Sequence, residues 1–346
     1  MTAVAVVIFS TLDALAALIN LAVICIILRR PYMRTVSNLF LVGLTSTQLL
    51  MTVTVVPFSI VTFLRPSWSF GNGFCQFQGY MTNFLSMSSA TFISIISVDR
   101  FFSLANPMSH AGYITEKHVI LASLLNWFHS AFWASFPLFG IKGLKYIYVP
   151  GRKGCGFRWD SKGPYYIYYS LIVMEGFIIP SFTLCFMHFK SFQTARQSAR
   201  QVRPGNIQIQ TLQNGDFTSV ALTKNKHNCM KANCTLTLII GSFVITRGPH
   251  TIFNIVTSFT EEGYSSVLTQ TSVTLLLYMG PLLDPMVYFL LNRKLRQEVF
   301  RPFSKLCRKT SEEEEEPKDI VDYIRSIADH HENRQSSIEI VTQVTE

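Results

Sequence analysis

Seven runs of apolar residues, each long enough to cross a lipid bilayer, decide most of what this chain can fold into. A hydrocarbon core about 30 Å thick is spanned by roughly 20 residues of helix. The runs lie near 3–28, 37–63, 76–101, 117–139, 166–189, 233–259 and 267–291. Lipid offers nothing for a bare N–H or C=O to bond, so each run must satisfy its own backbone as a helix. The expected fold class is an all-α membrane protein, a seven-transmembrane helix bundle. Only 15% of the residues are charged, against about 25% in a soluble domain. That excludes a disordered or coiled-coil chain and argues against a cytosolic enzyme. The first run starts almost at Met1. No Lys or Arg precedes it and it continues to Leu28, so a retained span is expected rather than a cleaved leader, with a truncated start as the alternative.

Lys and Arg set the orientation. With an outside N-terminus, most of the 30 fall in the inner segments 29–36, 100–118, 190–232 and 292–346. The outer side holds Arg65, Lys142, Lys145, Arg152, Lys153, Arg158 and Lys162, and Arg247 stands inside a run. The bias places the N-terminus outside and the tail inside. The net charge of +9 then belongs mostly to a cytoplasmic face that meets anionic membrane lipids or an acidic partner, and it requires no nucleic acid. Only Cys75 and Cys155 fall in outer, oxidising segments. They are expected to form a disulfide, two free thiols being the alternative. There is no Cys-x-x-Cys and no His/Cys ligand spacing, so neither a metal site nor a cofactor is expected.

The loops are short except 190–232, a polar segment with Pro204-Gly205 and Asn214-Gly215 that reads as flexible cytosolic chain. After the seventh run, Leu291, Leu295, Val299 and Phe303 recur every four residues among basic neighbours. This is the pattern of a short amphipathic helix on the inner leaflet, over 292–303. Cys307 follows as a palmitoylation candidate, an unmodified thiol being the other reading. The membrane domain is expected over 1–305 and a mostly disordered cytoplasmic tail over 306–346. In the tail, Glu312–Glu316 reads as a solvated acidic run. Ile320, Val321, Ile324, Ile327 and Ala328 form an apolar stripe at helical spacing, either a transient helix or a docking strip.

Motifs punctuate the runs in a recognisable order. The first run has Asn20, the second opens on Asn38-Leu-Phe-Leu, and Trp68-Ser-Phe-Gly71 lies just ahead of Cys75. The third ends in Val98-Asp99-Arg100-Phe101, with Pro107 beyond it. The fourth has Trp127, the fifth Pro180, the sixth Phe243 and Pro249. The seventh closes on Asp284-Pro285-Met286-Val287-Tyr288, and Phe300 follows. Together these resemble the rhodopsin-like G-protein-coupled receptors over roughly residues 10–305. The resemblance implies a plasma-membrane receptor, not an enzyme, that switches a heterotrimeric G protein by opening a cytoplasmic cleft. It implies that Asp99, Arg100 and Phe101, with Asp284, Pro285 and Tyr288, form the switch. Arg100 would swing free to meet the C-terminal helix of a Gα subunit, and Tyr288 would move in to support it. For Arg100 alone, the bland alternative is a side chain snorkelling to the interface. Phe101 replaces the family's usual Tyr. A polar core of Asn20, Gln48, Ser89 and Asp284 is also implied.

The departures carry information. Gln48 stands where most relatives have Asp, and Asp284 where Asn is commoner. One buried carboxylate has crossed the polar pocket, and the family's sodium site loses its usual ligand; the alternative is that Asp284 is a common variant. Arg247 replaces the Trp of the family's span-six switch, two residues before Pro249. A charge at this depth costs at least about 2.5 kcal/mol unless paired or hydrated. The expected partner is Glu175, five residues before Pro180, in an ion pair on the floor of the ligand cavity. Asp284 is the competing partner, and a water-filled cavity the third reading. Thr82 stands where amine receptors carry an Asp, and 267–291 contains no Lys for a retinal Schiff base. A non-amine ligand is therefore expected, lipid or anionic, in a cavity lined by Thr82, Glu175, Arg247 and Tyr278. The basic segment around Cys155 either draws an anion or folds over the cavity as a lid, latched by Glu261 and Glu262. Residues 225–233 contain no acid to restrain Arg100, which predicts basal signalling. The one Asn-x-Ser/Thr site, Asn233-Cys234-Thr235, faces the cytosol, so no glycan is expected.

Within the family, Trp127-Phe-His129-Ser130, Pro137-Leu-Phe-Gly140, Cys155 with Gly163-Pro164-Tyr165, and Thr246-Arg247-Gly248-Pro249 resemble the orphan type of primary cilia that opposes Hedgehog signalling. That likeness implies constitutive coupling to the stimulatory G protein, raised cAMP, a ciliary location and a kinase-anchoring tail at Ile320–Ala328. Two rivals stand beside it. A seven-helix transporter or channel would use Glu175, Arg247 and Asp284 as an ion path. A degenerate, non-coupling receptor acting as a scaffold would fit the missing span-six Trp and span-two Asp.

Overall fold

Proline and glycine set where the helices bend. The computed structural model describes residues 3–65, 67–105, 114–140, 144–157, 165–201, 237–257, 266–292 and 295–299. The chain divides into two units, Met1–Leu295 and Arg296–Glu346, and the first contains the helices that follow. Span one is Ala3–Arg29. Span two runs Val36–Thr54 and resumes at Val56–Leu64. Pro57 has no N–H for the carbonyl one turn back, so the helix breaks at Val55. Span three, Gly71–Ala105, is 35 residues long and packs on spans two, four and five. Span four is Glu116–Ser135, extended by a 3-10 turn at Phe136–Phe139 that ends at Gly140 with φ +71°. Span five joins Tyr165–Val173 to Ile179–Gln201 through a π turn at Met174–Ile178, just before Pro180. Span six is helical over 237–257. Span seven is Val267–Tyr278 and Gly280–Leu291, broken ahead of Pro281.

Among the described residues six of these helices are long and apolar enough to cross a membrane by length and composition alone. Span six is not one of them, because Arg247, His250 and Asn254 dilute its apolar run. Large apolar side chains such as Phe128 (72% exposed), Phe182 (71%) and Leu268 (73%) face outward, while Asn20, Gln48, Ser89 and Asp284 are buried. That inversion suits lipid as solvent. The main core gathers Leu44, Phe92, Ile96, Phe243 and Tyr288. Spans two and three meet at Gly43, where a Cβ would lie 2.5 Å from the Phe92 ring.

Between spans four and five a hairpin adds two short strands to the all-α expectation. β1 (Tyr146–Val149) and β2 (Gly154–Phe157) pair antiparallel, with Tyr146 opposite Phe157 and Val149 opposite Gly154. The turn passes through Pro150–Arg152 and Lys153, whose φ is +51°. Of the expected inner-leaflet helix, residues 295–299 are helical. Cys307, Phe303, the Ile320–Ala328 stripe, residues 225–233 and Glu261 and Glu262 lie outside the described residues.

Candidate functional site

The hairpin is fastened to the bundle residue by residue. Cys75, near the start of span three, is bonded to Cys155 of β2, with Cα atoms 5.3 Å apart. Gln78, one turn further on, accepts from the Cys155 N–H through Oε1 at 2.8 Å. Its Nε2 donates to Ser59 Oγ at 3.0 Å and to the Val55 carbonyl at 3.2 Å. Tyr146 is fully buried and donates to the Ala134 carbonyl at 2.7 Å. Its ring lies on Gly79, where a Cβ would sit 2.5 Å away. Thr271 of span seven donates to the Gly151 carbonyl at 2.8 Å. The hairpin is thereby fastened to spans three, four and seven.

Beneath the hairpin is a cavity of about 120 Å³. Thr82, Arg247 and Tyr278 line it, together with Arg152, His250 and Phe177. Arg152 enters from the hairpin turn and donates through Nη2 to Asn254 Oδ1 at 2.6 Å. Burial pushes its pKa down to about 10, against the opposing effect of the nearby Tyr169 and Tyr278.

Glu175 does not line the cavity, and the expected Glu175–Arg247 ion pair is not formed. Glu175 lies within the π turn, and span five reaches the cavity through Ile172, Val173, Gly176 and Phe177 instead. Arg247, 7% exposed, instead donates through Nη1 to the Ser86 carbonyl at 3.0 Å and through Nη2 to Ser89 Oγ at 2.6 Å. Its guanidinium carbon stands 5.5 Å from the centre of the Phe243 ring. The carboxylate whose charge reaches it is Asp284.

Asp284 anchors the polar layer below. It accepts from Gln48 Nε2 at 2.6 Å and from Ser242 Oγ at 3.4 Å. Asn20 donates to the Pro281 carbonyl at 2.8 Å, tying span one to span seven near the same level. The Gln48 amide thus serves as donor to the Asp284 carboxylate across one buried contact. Trp127 donates to Thr47 Oγ1 at 3.0 Å and fixes span four on span two.

At the far end of span three, Asp99 is buried and accepts from Ser37 Oγ. Tyr288 lies within the field of Arg100. Arg100 Nε and Tyr288 Oη are both buried without a hydrogen-bond partner. The Phe101 ring meets Phe102 edge-on at 5.3 Å, and Pro285 sits inside the last helix, one turn before Tyr288. Gln78, His250 and Asn254 are participants the sequence reading passed over. Gln78 was signalled by its spacing, since three residues after Cys75 is the same helix face.

Among the described residues, seven helical spans, a disulfide-tethered hairpin over a cavity, and an Asp-Arg pair with a Tyr at the opposite end have the architecture of a seven-span membrane receptor. The chain belongs to the 7 transmembrane receptor (rhodopsin family), whose profile matches residues 19–288. It is 26% identical to the G-protein coupled receptor 161 of Xenopus tropicalis, over 83% of this chain and 58% of that relative. The Homo sapiens protein of the same name is 25% identical over 81% of this chain and 55% of its own length. The high-affinity lysophosphatidic acid receptor of Xenopus laevis is 25% identical over 82% and 77%. The chain therefore spans between 55% and 58% of the two receptor 161 relatives. It is a multi-pass membrane receptor and not an enzyme.

Proposed function

We propose that the chain conveys a signal, from outside the cell or from within the bilayer, to a heterotrimeric G protein, with a basal output of its own. In this reading the N-terminus is outside and the Arg100 end faces the cytosol, at the plasma membrane and in the primary cilium. The observation that carries the reading is the Arg100–Tyr288 end of the bundle. A buried donor without an acceptor costs about 1–3 kcal/mol. Arg100 Nε and Tyr288 Oη both stand in that condition, so a docking segment that offers carbonyl oxygens is favoured there. A Gα helix that binds the open state better than the closed one shifts the population toward it. Coupling to the stimulatory class and raised cAMP rest on the likeness to ciliary orphan receptors, and the ligand is a non-amine. The membrane domain is 1–305. The tail, 306–346, carries a palmitoyl anchor at Cys307 and a docking strip for a kinase-anchoring partner at Ile320–Ala328.

Ligand-free cAMP and other second messengers, measured at matched surface expression with several Gα classes, test this. The wild-type chain raises one of them and Arg100→Ala abolishes the rise. Output equal to that of untransfected cells for every class refutes the reading.

A further inference from the structure

We infer that the inward edge of span one binds a lipid-borne ammonium group, its N–H donors on the Asp13 carboxylate and its charge beside the ring of Phe9. Span one buries Phe9, Ala16, Asn20, Val23 and Ile27, a stripe at helical spacing, against spans two and seven. Asp13 borders that stripe, one turn after Phe9 and one before Ala16, and is half-buried. The outward face is a different one, with Val7, Ile8, Leu15 and Leu18 exposed. Among the described residues Asp13 makes no ion pair or hydrogen bond, and no charged group acts on it.

A carboxylate in hydrocarbon is costly unless it is paired, so this one calls for a cation. Asp13 lies about 24 Å along the helix from Arg29. In the proposed orientation that is roughly 6 Å below the outer edge of a hydrocarbon core about 30 Å thick. An ammonium carried on a lipid chain settles at that depth with its chain alongside the helix, whereas a dissolved cation must shed its water to reach it. Helical side chains lean toward the N-terminus, which carries the Asp13 carboxyl toward Phe9. The Phe9 ring meets those of Phe63 and Tyr278 at 6.1 and 6.3 Å. An aromatic ring beside a carboxylate attracts an ammonium through its π face and adds to the charge-assisted hydrogen bond. A Lys- or Arg-bearing helix of another protein, the other cation a membrane offers, would pack on the outward face, and Asp13 is not on it. The site is apart from the cavity beneath the hairpin, which neither Asp13 nor Phe9 lines, so the non-amine reading of the cavity stands.

The test titrates the full-length receptor, in phosphatidylcholine nanodiscs at neutral pH, with dodecylammonium, dodecanol and dodecanoate, reading the thermal unfolding midpoint. Dodecylammonium raises the midpoint of the wild type, and the other two do not. Asp13→Asn raises the amount needed for half the shift about tenfold or more, the worth of a charge-assisted hydrogen bond. Phe9→Leu raises it about two- to fivefold, the worth of a cation–π contact. Glu116→Gln, which removes an exposed carboxylate at the start of span four, leaves it unchanged. Asp13→Leu is a second charge-free variant that keeps the test decisive if Asp13→Asn fails to fold. Equal half-points in the wild type and the charge-free variants leave Asp13 a neutral acid and overturn the inference. An equal shift from dodecanol or dodecanoate, or none from dodecylammonium, overturns it too. Ammonium chloride acting as well as dodecylammonium overturns its lipid half, and an unchanged half-point in Phe9→Leu its aromatic half. None of these results touches G-protein coupling, which the ligand-free measurement with Arg100→Ala decides by itself.

Discussion

Replacing Arg247 and Asp284 separately and together measures how a buried positive charge is tolerated in span six. Arg247→Gln removes two charge-assisted hydrogen bonds, to the Ser86 carbonyl and Ser89 Oγ, each worth about 1.5–3 kcal/mol. It also removes a buried charge whose placement costs at least about 2.5 kcal/mol. The two effects oppose, so the single variant loses at most about 0.5–3.5 kcal/mol. Asp284→Asn keeps an acceptor for Gln48 and Ser242 but leaves Arg247 with no carboxylate, and loses about 2–4 kcal/mol. Arg247 and Asp284 are not in direct contact, so their coupling stays below the roughly 4 kcal/mol of unit charges 4 Å apart at the protein's effective dielectric. A coupling of about 1–3 kcal/mol is expected, the double variant being less damaged than the sum. Glu175→Gln with Arg247→Gln is expected to add within about 0.5 kcal/mol. The assay is reversible denaturation in mixed micelles on all variants. Additive effects at 247 and 284, or coupling above about 1 kcal/mol between 175 and 247, refute the reasoning.

Two further outcomes follow from the packing and the polar layer. Gly79→Ala drives a Cβ to 2.5 Å from the Tyr146 ring and lowers stability by about 1–3 kcal/mol in the same assay, whereas Gly73→Ala, with nothing within 4 Å, is neutral or better. Exchanging sodium for a large organic cation leaves ligand-free nucleotide exchange unchanged, because Gln48 offers no carboxylate and Arg247 already supplies a positive charge to Asp284; a sodium-dependent change contradicts this.

The bundle was legible because lipid makes a simple demand, and runs of apolar residues meet it only as helices. The bends at Val55 and Met279 were encoded by Pro57 and Pro281, although periodicity alone does not place them. The partner of Arg247 was not legible. The expectation rested on the face that Glu175 shows in the family fold, and here span five reaches the cavity through Ile172, Val173, Gly176 and Phe177 instead. The hairpin also escaped a reading built on span lengths. Its signal was short: two aromatics at alternate positions in Tyr146-Ile147-Tyr148-Val149, then Pro150-Gly151. The entry of Arg152 into the cavity depends on the disulfide and on Gln78 holding that turn down, a relation among distant segments that no local pattern records.

The most direct measurement of the central claim is nucleotide exchange on purified Gα subunits in the presence of the receptor reconstituted in lipid nanodiscs without added ligand. Wild type is expected to accelerate GDP release from at least one Gα class, and Arg100→Ala to return the rate to that of Gα alone. Acceleration that survives Arg100→Ala, or none from any class, would contradict the account.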